Sequence, residues 1–438
     1  MVQFIQGFWV LLIVFFLLFK FRIGLAFYLA YLILVPYMNI NFLGFNFQWN
    51  LINTLLLLCF IYTFKTKKYT IDYTPFLPFI IYFSVSLLLM LFQTDTPFSF
   101  EISTWRKKIF ITQLFPFILW NQIKVDYKSF FLYKKVLLIC ISLVVLYGLL
   151  LAAIPGNNPY IGLISIANGS TFDDEYALAD GGGRLFGRIS SVFTHPMRFG
   201  FFLGVAMIYV YNLYIKYTGT DKMKFFLLSL ILLIGVSFVT CGIRSVLGGF
   251  FVTFIFYLLQ VRQFKKIFLS IVFFLILWLI IKSIPDLMGY FSSMVSYESS
   301  SSEVRGSSIE QRMQQLNGCF DEVKNCFIQG KGFEWHKYDF YVRGYHPVIL
   351  CFESLIFIIL CDSGLLGFFL WAYMAFILFR YNKKICGNIT QRSVLNALFV
   401  FYISYSCVTG ECGFLINFMI FYVMMIGEIY TNKQTLFP

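Results

Sequence analysis

The sequence predicts an all-α polytopic integral membrane protein with about 12–13 transmembrane helices and one large external loop late in the chain. Three observations carry that expectation. First, 59% of the 438 residues are hydrophobic and only 13% charged, against about 45–50% and about 25% in soluble chains. Second, the apolar residues fall in long runs, many near the roughly 20 residues that cross a bilayer. Third, the runs are continuous rather than alternating. That pattern fits helices, which satisfy their own backbone in lipid, and excludes a β-barrel.

The runs fall at 4–19, 23–38, 51–64, 75–93, 109–120, 136–154, 199–215, 225–240, 245–259, 267–284, 347–361, 364–379, 393–409 and 413–430. The first starts at Phe4 and has no small-residue cleavage site, so it reads as a retained span. Basic clusters mark the cytoplasmic side: Lys20 with Arg22, Lys65 to Lys68, Lys134 with Lys135, Lys216 to Lys224, Arg262 to Lys266, and Arg380 to Lys384. They alternate correctly with the N-terminus outside, except that Lys107 and Lys108 then fall on the external side. Parity also asks that 347–361 be a half-inserted helix, with a true span starting at Gly364. Five regions follow: N-terminal membrane helices over 1–154, a first external loop over 155–198, central membrane helices over 199–284, a large external loop over 285–346, and a half-inserted helix with C-terminal spans over 347–438.

That loop contains ordered structure. Ser307-x-x-Glu310 has the form of a capping box. Apolar residues then recur at Ile309, Met313, Leu316, Phe320, Val323 and Phe327, which predicts an amphipathic helix along the membrane surface or the bundle. Gly330 ends it. Trp335, Phe340, Tyr341 and Tyr345 are the loop aromatics that could form a stacking platform.

The ten Cys lie mostly in or beside apolar runs and suggest no disulfide framework. Cys319 and Cys326 would be about 10 Å apart on a helix, too far to pair. No CxxC or HExxH occurs, so no metal site is signalled. The net charge of +13 sits in short loops between spans, which argues against nucleic acid as a partner.

Arg and Lys segregate. Under this topology 16 of 22 Lys are cytoplasmic. Eight of 12 Arg are external: Arg106, Arg184, Arg188, Arg198, Arg244, Arg305, Arg312 and Arg343. Insertion alone would distribute the two cations alike. Arg is favoured where a planar fork must hold phosphate or carboxylate, so the pattern predicts an anionic ligand at the outer face. The bland reading pairs these Arg with loop acids or lets them snorkel to the interface.

Three stretches resemble the O-antigen polymerase and O-antigen ligase superfamily of bacterial envelopes. Thr240-Cys-Gly-Ile-Arg244-Ser245 is similar to a short Arg-containing segment that opens a span. Arg312 and its amphipathic helix, running on to Gly330-Lys-Gly332-Phe333, look like the family's Arg, helix, Gly-x-Gly-aromatic order. His346-Pro-Val-Ile-Leu-Cys-Phe-Glu353, continuing through Asp362-Ser-Gly364-Leu-Leu-Gly367, resembles its His-Asn, acidic, Gly-Leu-Leu-Gly stretch. Pro347 stands where the family usually has Asn, and no Trp follows Arg312 at the usual place.

The resemblance implies a metal-independent, inverting glycosyltransferase of the bacterial inner membrane that uses no cofactor. Its active site would face the periplasm. The donor would be an oligosaccharide on undecaprenyl diphosphate, and a chain-length regulator and a flippase would be partners. A polymerase moves the growing glycan to the next lipid-linked repeat unit; a ligase moves the finished glycan to lipid A–core. A transporter of an anionic lipid or solute is the reading from another class. Most spans read as free of charge away from their ends, which argues against it.

His346, Arg312 and Arg244 are the candidate catalytic residues. An imidazole titrating near neutral pH can take the acceptor's proton, and Arg forks can hold the leaving diphosphate. His195 and His336 are the competing bases. Glu353, seven residues after His346, would orient it from the same helical face. Arg188, Arg198, Arg305 and Arg343 complete the expected substrate-binding group.

Overall fold

Proline and polar breaks decide where the helices start and stop. The computed structural model describes residues 2–35, 40–42, 45–47, 49–154, 158–168, 188–217, 219–265, 309–344, 346, 348–349 and 352–436. Helices dominate. The N-terminal part holds α1 (Val2–Phe19), α2 (Phe21–Leu34), α3 (Trp49–Thr66), α4 (Leu77–Leu89), α5 (Phe98–Thr112), α6 (Leu114–Val125), α7 (Lys128–Ala153) and α8 (Pro159–Asn168). Between α2 and α3, β1 (Ile40–Phe42) pairs antiparallel with β2 (Phe45–Phe47), Asn41 opposite Asn46. The remainder holds α9 (Pro196–Lys216), α10 (Asp221–Thr240), α11 (Arg244–Gln260), α12 (Ile309–Val323), α13 (Trp335–Arg343), α14 (Leu355–Ile385), α15 (Ile389–Thr409) and α16 (Leu415–Leu436).

Five described helices are long and apolar enough to cross a membrane: Lys128–Ala153, Pro196–Lys216, Asp221–Thr240, Leu355–Ile385 and Leu415–Gln434. This is fewer than the 12–13 spans expected. Shorter apolar helices are also present, among them Phe21–Leu34, Ile52–Thr66 and Arg244–Gln260. The 267–284 run lies outside the described residues. The 109–120 run is divided between α5 and α6. Pro116 has no N–H to give Thr112, and its ring crowds that carbonyl, so the helix breaks one turn earlier at Gln113.

The core centres on α16. Phe418 to Ile426 are all buried on every side, among α6, α7, α9 and α15. Phe414 stacks on Phe201 at 4.7 Å. A chain of buried polar groups runs here: the Tyr422 hydroxyl donates to Asn382, which donates to Asn396, both at 2.9 Å. Arg198 opens α9 and Lys216 closes it; Arg244 opens α11 and Arg262 follows its far end.

Among the described residues of the 347–361 run, the helix starts at Leu355. Ser354 is extended, and its Oγ accepts from the Ile356 N–H at 3.2 Å, starting the helix there. α14 then breaks at Gly364, whose φ of 58° and ψ of −151° interrupt it. The break is sealed by the segment after α12. Phe327 and Ile328 carbonyls accept from the Leu365 and Leu366 amides at 2.9 and 3.0 Å, and the Lys331 and Gly332 amides donate to the Cys361 and Asp362 carbonyls. Such irregular backbone is tolerated in a bundle only when protein groups satisfy it. Gly330 and Gly364 make the approach possible. A Cβ on Gly330 would sit 2.5 Å from the Ser363 nitrogen, and one on Gly364 would sit 2.5 Å from the Phe327 carbonyl.

α12 itself ends at Val323 rather than at Gly330. The chain tightens there through a Cys326-to-Val323 bond and turns to reach the break. Cys319 and Val323 are buried, while Met313, Phe320 and Phe327 stay exposed. Ser307 of the expected capping box lies outside the described residues.

Candidate functional site

The expected site residues fall into two separate groups, and a third group was not expected. The first gathers around the turn from Gly410 to Gly413, which joins α15 to α16. Arg312 donates from Nη2 to the Val408 carbonyl at 3.1 Å, and its Nε lies 4.0 Å from Glu353 Oε2. Arg198 reaches the turn's other side, its Nη2 3.3 Å from where a Gly413 Cβ would stand. Behind Arg198, His195 caps α9 by accepting the Met197 N–H on Nδ1 at 3.1 Å. Its burial, with the charges of Arg198 and Arg188, holds the imidazole down at about 4, so it stays neutral near pH 7. Arg188 precedes Ile189, whose amide donates to the Cys241 carbonyl, and Arg244 opens α11 three residues on. Arg188, Arg198, Arg244 and Arg312 thus share one end of the bundle. Arg305 lies outside the described residues.

The second group corrects the assignment of His346. Its Nδ1 lies 3.1 Å from the Val348 nitrogen and 2.8 Å from the Ile349 nitrogen, both N–H donors. Nδ1 is therefore the acceptor. Nε2 then carries the proton and donates to Glu322 at 3.0 Å. In this arrangement His346 has no lone pair to offer a substrate, and it is buried. Glu353 does not orient it: Val348, Ile349, Phe352 and Glu353 are not helical, and Glu353 turns to Arg312. Arg343 also leaves the expected anion site, bonding Glu322 at 3.3 Å and Asp339 at 3.1 Å.

Glu322 is the hub of this group, with Lys331 as a third partner at 2.5 Å. Burial raises its carboxyl, but the bonds from Lys331, His346 and Arg343 win and bring it down to about 2 from an ordinary 4.5. A depressed carboxylate stabilises the fold above its unfolded value and loses that contribution as pH falls through its folded value. The clamp on the 309–343 loop is thus intact above about pH 4.5 and fails between 4.5 and 2. Thermal melts of the detergent-purified protein at pH 5 and pH 3 are expected to show the loss. Glu322→Gln should melt lower at pH 5 and show a smaller drop on acidification; an unchanged pH 5 melt would refute the clamp.

The third group lines a narrow cleft between α4, α14 and α15, with a cavity volume of about 30 Å³. Tyr82, Trp371 and Tyr402 wall it, and Lys108, Glu334, His336, Asp362 and Glu411 bring the polar groups. Lys108 donates to Glu334 Oε1 in a very short contact, and Lys337 reaches the other oxygen. Glu334 is held at φ 60°, a left-handed conformation that costs a non-glycine residue free energy. Burial opposes its ionisation, yet the two lysines keep its carboxyl well below the ordinary range.

His336 is paired in the opposite sense to His346. Its Nδ1 lies 2.9 and 3.1 Å from the two Asp362 oxygens, and its backbone N–H donates to the same carboxylate at 3.1 Å. A carboxylate accepts only, so Nδ1 carries a proton; in the neutral ring Nε2 then keeps the lone pair, 4.0 Å from Glu334 Oε2. Asp362 is in turn fixed by its carbonyl, which accepts from Gln93 Nε2 at 2.8 Å.

The first and third groups adjoin. Glu411 lines the cleft and belongs to the turn that Arg198 touches. Phe352 lies between His336, whose ring centroid is 5.5 Å away, and Glu353. Trp335 is no sugar platform: it is buried, with Phe352 against its edge at 6.2 Å and Lys331 over its face at 4.7 Å. Tyr345 lies outside the described residues.

No protein-family model matches the chain, and no curated protein matches its sequence.

Proposed function

We propose that this protein is a polysaccharide polymerase of the O-antigen type, a membrane glycosyltransferase whose donor is a glycan on undecaprenyl diphosphate. One observation carries the reading: an arginine-rich end built from Arg188, Arg198, Arg244 and Arg312 adjoins a cleft where Asp362 leaves His336 Nε2 as an acceptor. The arginines hold the diphosphate at the end opposite the lysine clusters, the periplasmic end under the positive-inside rule. The acceptor hydroxyl oxygen attacks the anomeric carbon as the bond to the diphosphate oxygen breaks, inverting that centre. The hydroxyl proton passes to His336 Nε2, and guanidinium forks take up the charge that builds on the leaving group. The shorter apolar helices complete the crossings that the five longest begin.

A ligase would use the same donor geometry with a different acceptor. A carrier of an anion is the second reading, and Lys108, Glu334 and Asp362 inside the bundle favour it, since ionisable groups at such depth mark transport paths as well as active sites. These residues replace the expectation that the bundle interior is free of charge.

The readings separate in a gel ladder of surface glycan from a deletion strain of the source bacterium. A polymerase leaves single repeat units on the strain. Wild type restores the ladder, while Arg198→Ala or Arg312→Ala lowers polymer formation by roughly 10- to 100-fold, the worth of one charge-assisted fork. Polymer that accumulates on the prenyl diphosphate would identify a ligase. An unchanged ladder in the deletion strain would refute the glycan reading.

A further inference from the structure

The lysine end of the molecule holds a second cavity, unrelated to the chemistry above. Its volume is about 400 Å³, and it lies where the ends of α1, α3 and α6 meet the start of α2. Lys20, Arg22 and Lys67 bring three cations to its wall, and Asp126 is the one carboxylate there. That carboxylate is already engaged: it pairs with Arg22 at 3.3 Å, accepts the Ser129 hydroxyl at 2.6 Å and caps the Lys128 amide at 3.2 Å. The wall keeps an excess of two positive charges, and Thr63, Tyr69 and Gln122 add hydroxyl and amide groups. Beside the cavity the helices are apolar and bare. Leu18 is 63% exposed, Phe19 71% and Tyr62 72%. In a bilayer these side chains face acyl chains.

We infer that this cavity binds the phosphate of an anionic phospholipid headgroup, with the acyl chains lying on the exposed faces of α1 and α3. A ligand that fits must be anionic at one end and apolar at the other. Basic pockets between helix ends, at the depth of the headgroups, recognise phosphate in this way. Lys20 and Lys67 are exposed and carry no described ion pair, and Lys67 lies 5.9 Å over the Tyr69 ring, so a ligand can be their counter-charge without breaking an ion pair.

The test uses the full-length protein in phosphatidylcholine nanodiscs with phosphatidylglycerol added, read by native mass spectrometry and by thermal melting. Wild type is expected to retain phosphatidylglycerol and to melt higher with it. The double variant Lys20→Gln, Lys67→Gln should bind it about tenfold or more weakly. A control pair at the same end but outside the cavity, Lys383→Gln with Lys384→Gln, should bind like wild type. Equal binding by the cavity variant and wild type would overturn the inference. So would an equal loss in the control, which would mark a diffuse basic surface. Equal protection by millimolar inorganic phosphate, lost in the cavity variant, would overturn the lipid assignment and leave a soluble phosphate as the occupant.

Discussion

Glu334→Gln is expected to destabilise the protein by about 3–5 kcal/mol, because it leaves the Lys108 ammonium without its counter-charge inside the bundle. Lys108 projects from α5 onto a loop residue 226 positions away in sequence. Glu334 is 2% exposed, so little water replaces what is removed. Lys108→Met should cost less, since Lys337 still neutralises Glu334 from the exposed side. The double variant Lys108→Met, Glu334→Met removes both charges together and should recover most of the stability. Thermal unfolding in detergent, run as a double-mutant cycle, measures the coupling. If Glu334→Gln melts like wild type, this pair does not hold the 330–336 segment in the bundle. The same variant should also weaken the seal over the Gly364 break, so hydrogen exchange at Leu365 and Leu366 is expected to speed up with the melt.

Much of the scaffold was legible in the residues. The apolar runs of α7, α9, α10 and α16 exceed what a soluble core could bury. The four-and-three spacing from Ile309 to Val323 marks α12 without reference to any other segment. Arg188, Arg198, Arg244 and Arg312 announce a common end of the bundle through the segregation of Arg from Lys. What was not legible depends on contacts distant in sequence. The 330–336 segment docks on a helix break because its carbonyls and amides match those that Gly364 exposes, and hydropathy does not record that match. Lys108 did leave a trace, as a cation on the wrong side of the charge bias. Its partner could not be named without the fold. The distinction between His346 and His336 lay deeper still, since it turns on which ring nitrogen each neighbour engages. A helix running through 347–353 would have placed Glu353 beside His346. Two backbone amides claim Nδ1 instead, and the helix waits until Ser354.

That distinction sets the last expected result. His336→Gln should lower glycan transfer by about 10²–10⁴-fold, the usual worth of a positioned general base. Its melting temperature should fall by less than that of Glu334→Gln, because the buried charge pair survives. Asp362→Asn is the sharper variant. An amide turned to donate to Nδ1 moves the imidazole proton to Nε2, so the ring stays in place but loses the lone pair that the reaction needs. His346→Gln should behave differently. It removes one donor to Glu322 and the acceptor for two loop amides, so it should lower the melting temperature while enzyme that remains folded keeps its turnover. The measurement is turnover per folded molecule on a lipid-linked repeat unit, with the melting temperature taken on the same preparation. Normal turnover by His336→Gln, together with an inactive but fully stable His346→Gln, would reverse the assignment and return the base to the end of the large loop. A carrier would instead show no turnover in any variant, and Lys108→Met would alter its transport of labelled anion. The outcome therefore bears on the reaction and on the residue at once: the two imidazoles lie in one loop, 10 positions apart, and under the proposed reaction their hydrogen-bond partners would make one a base and the other a clasp.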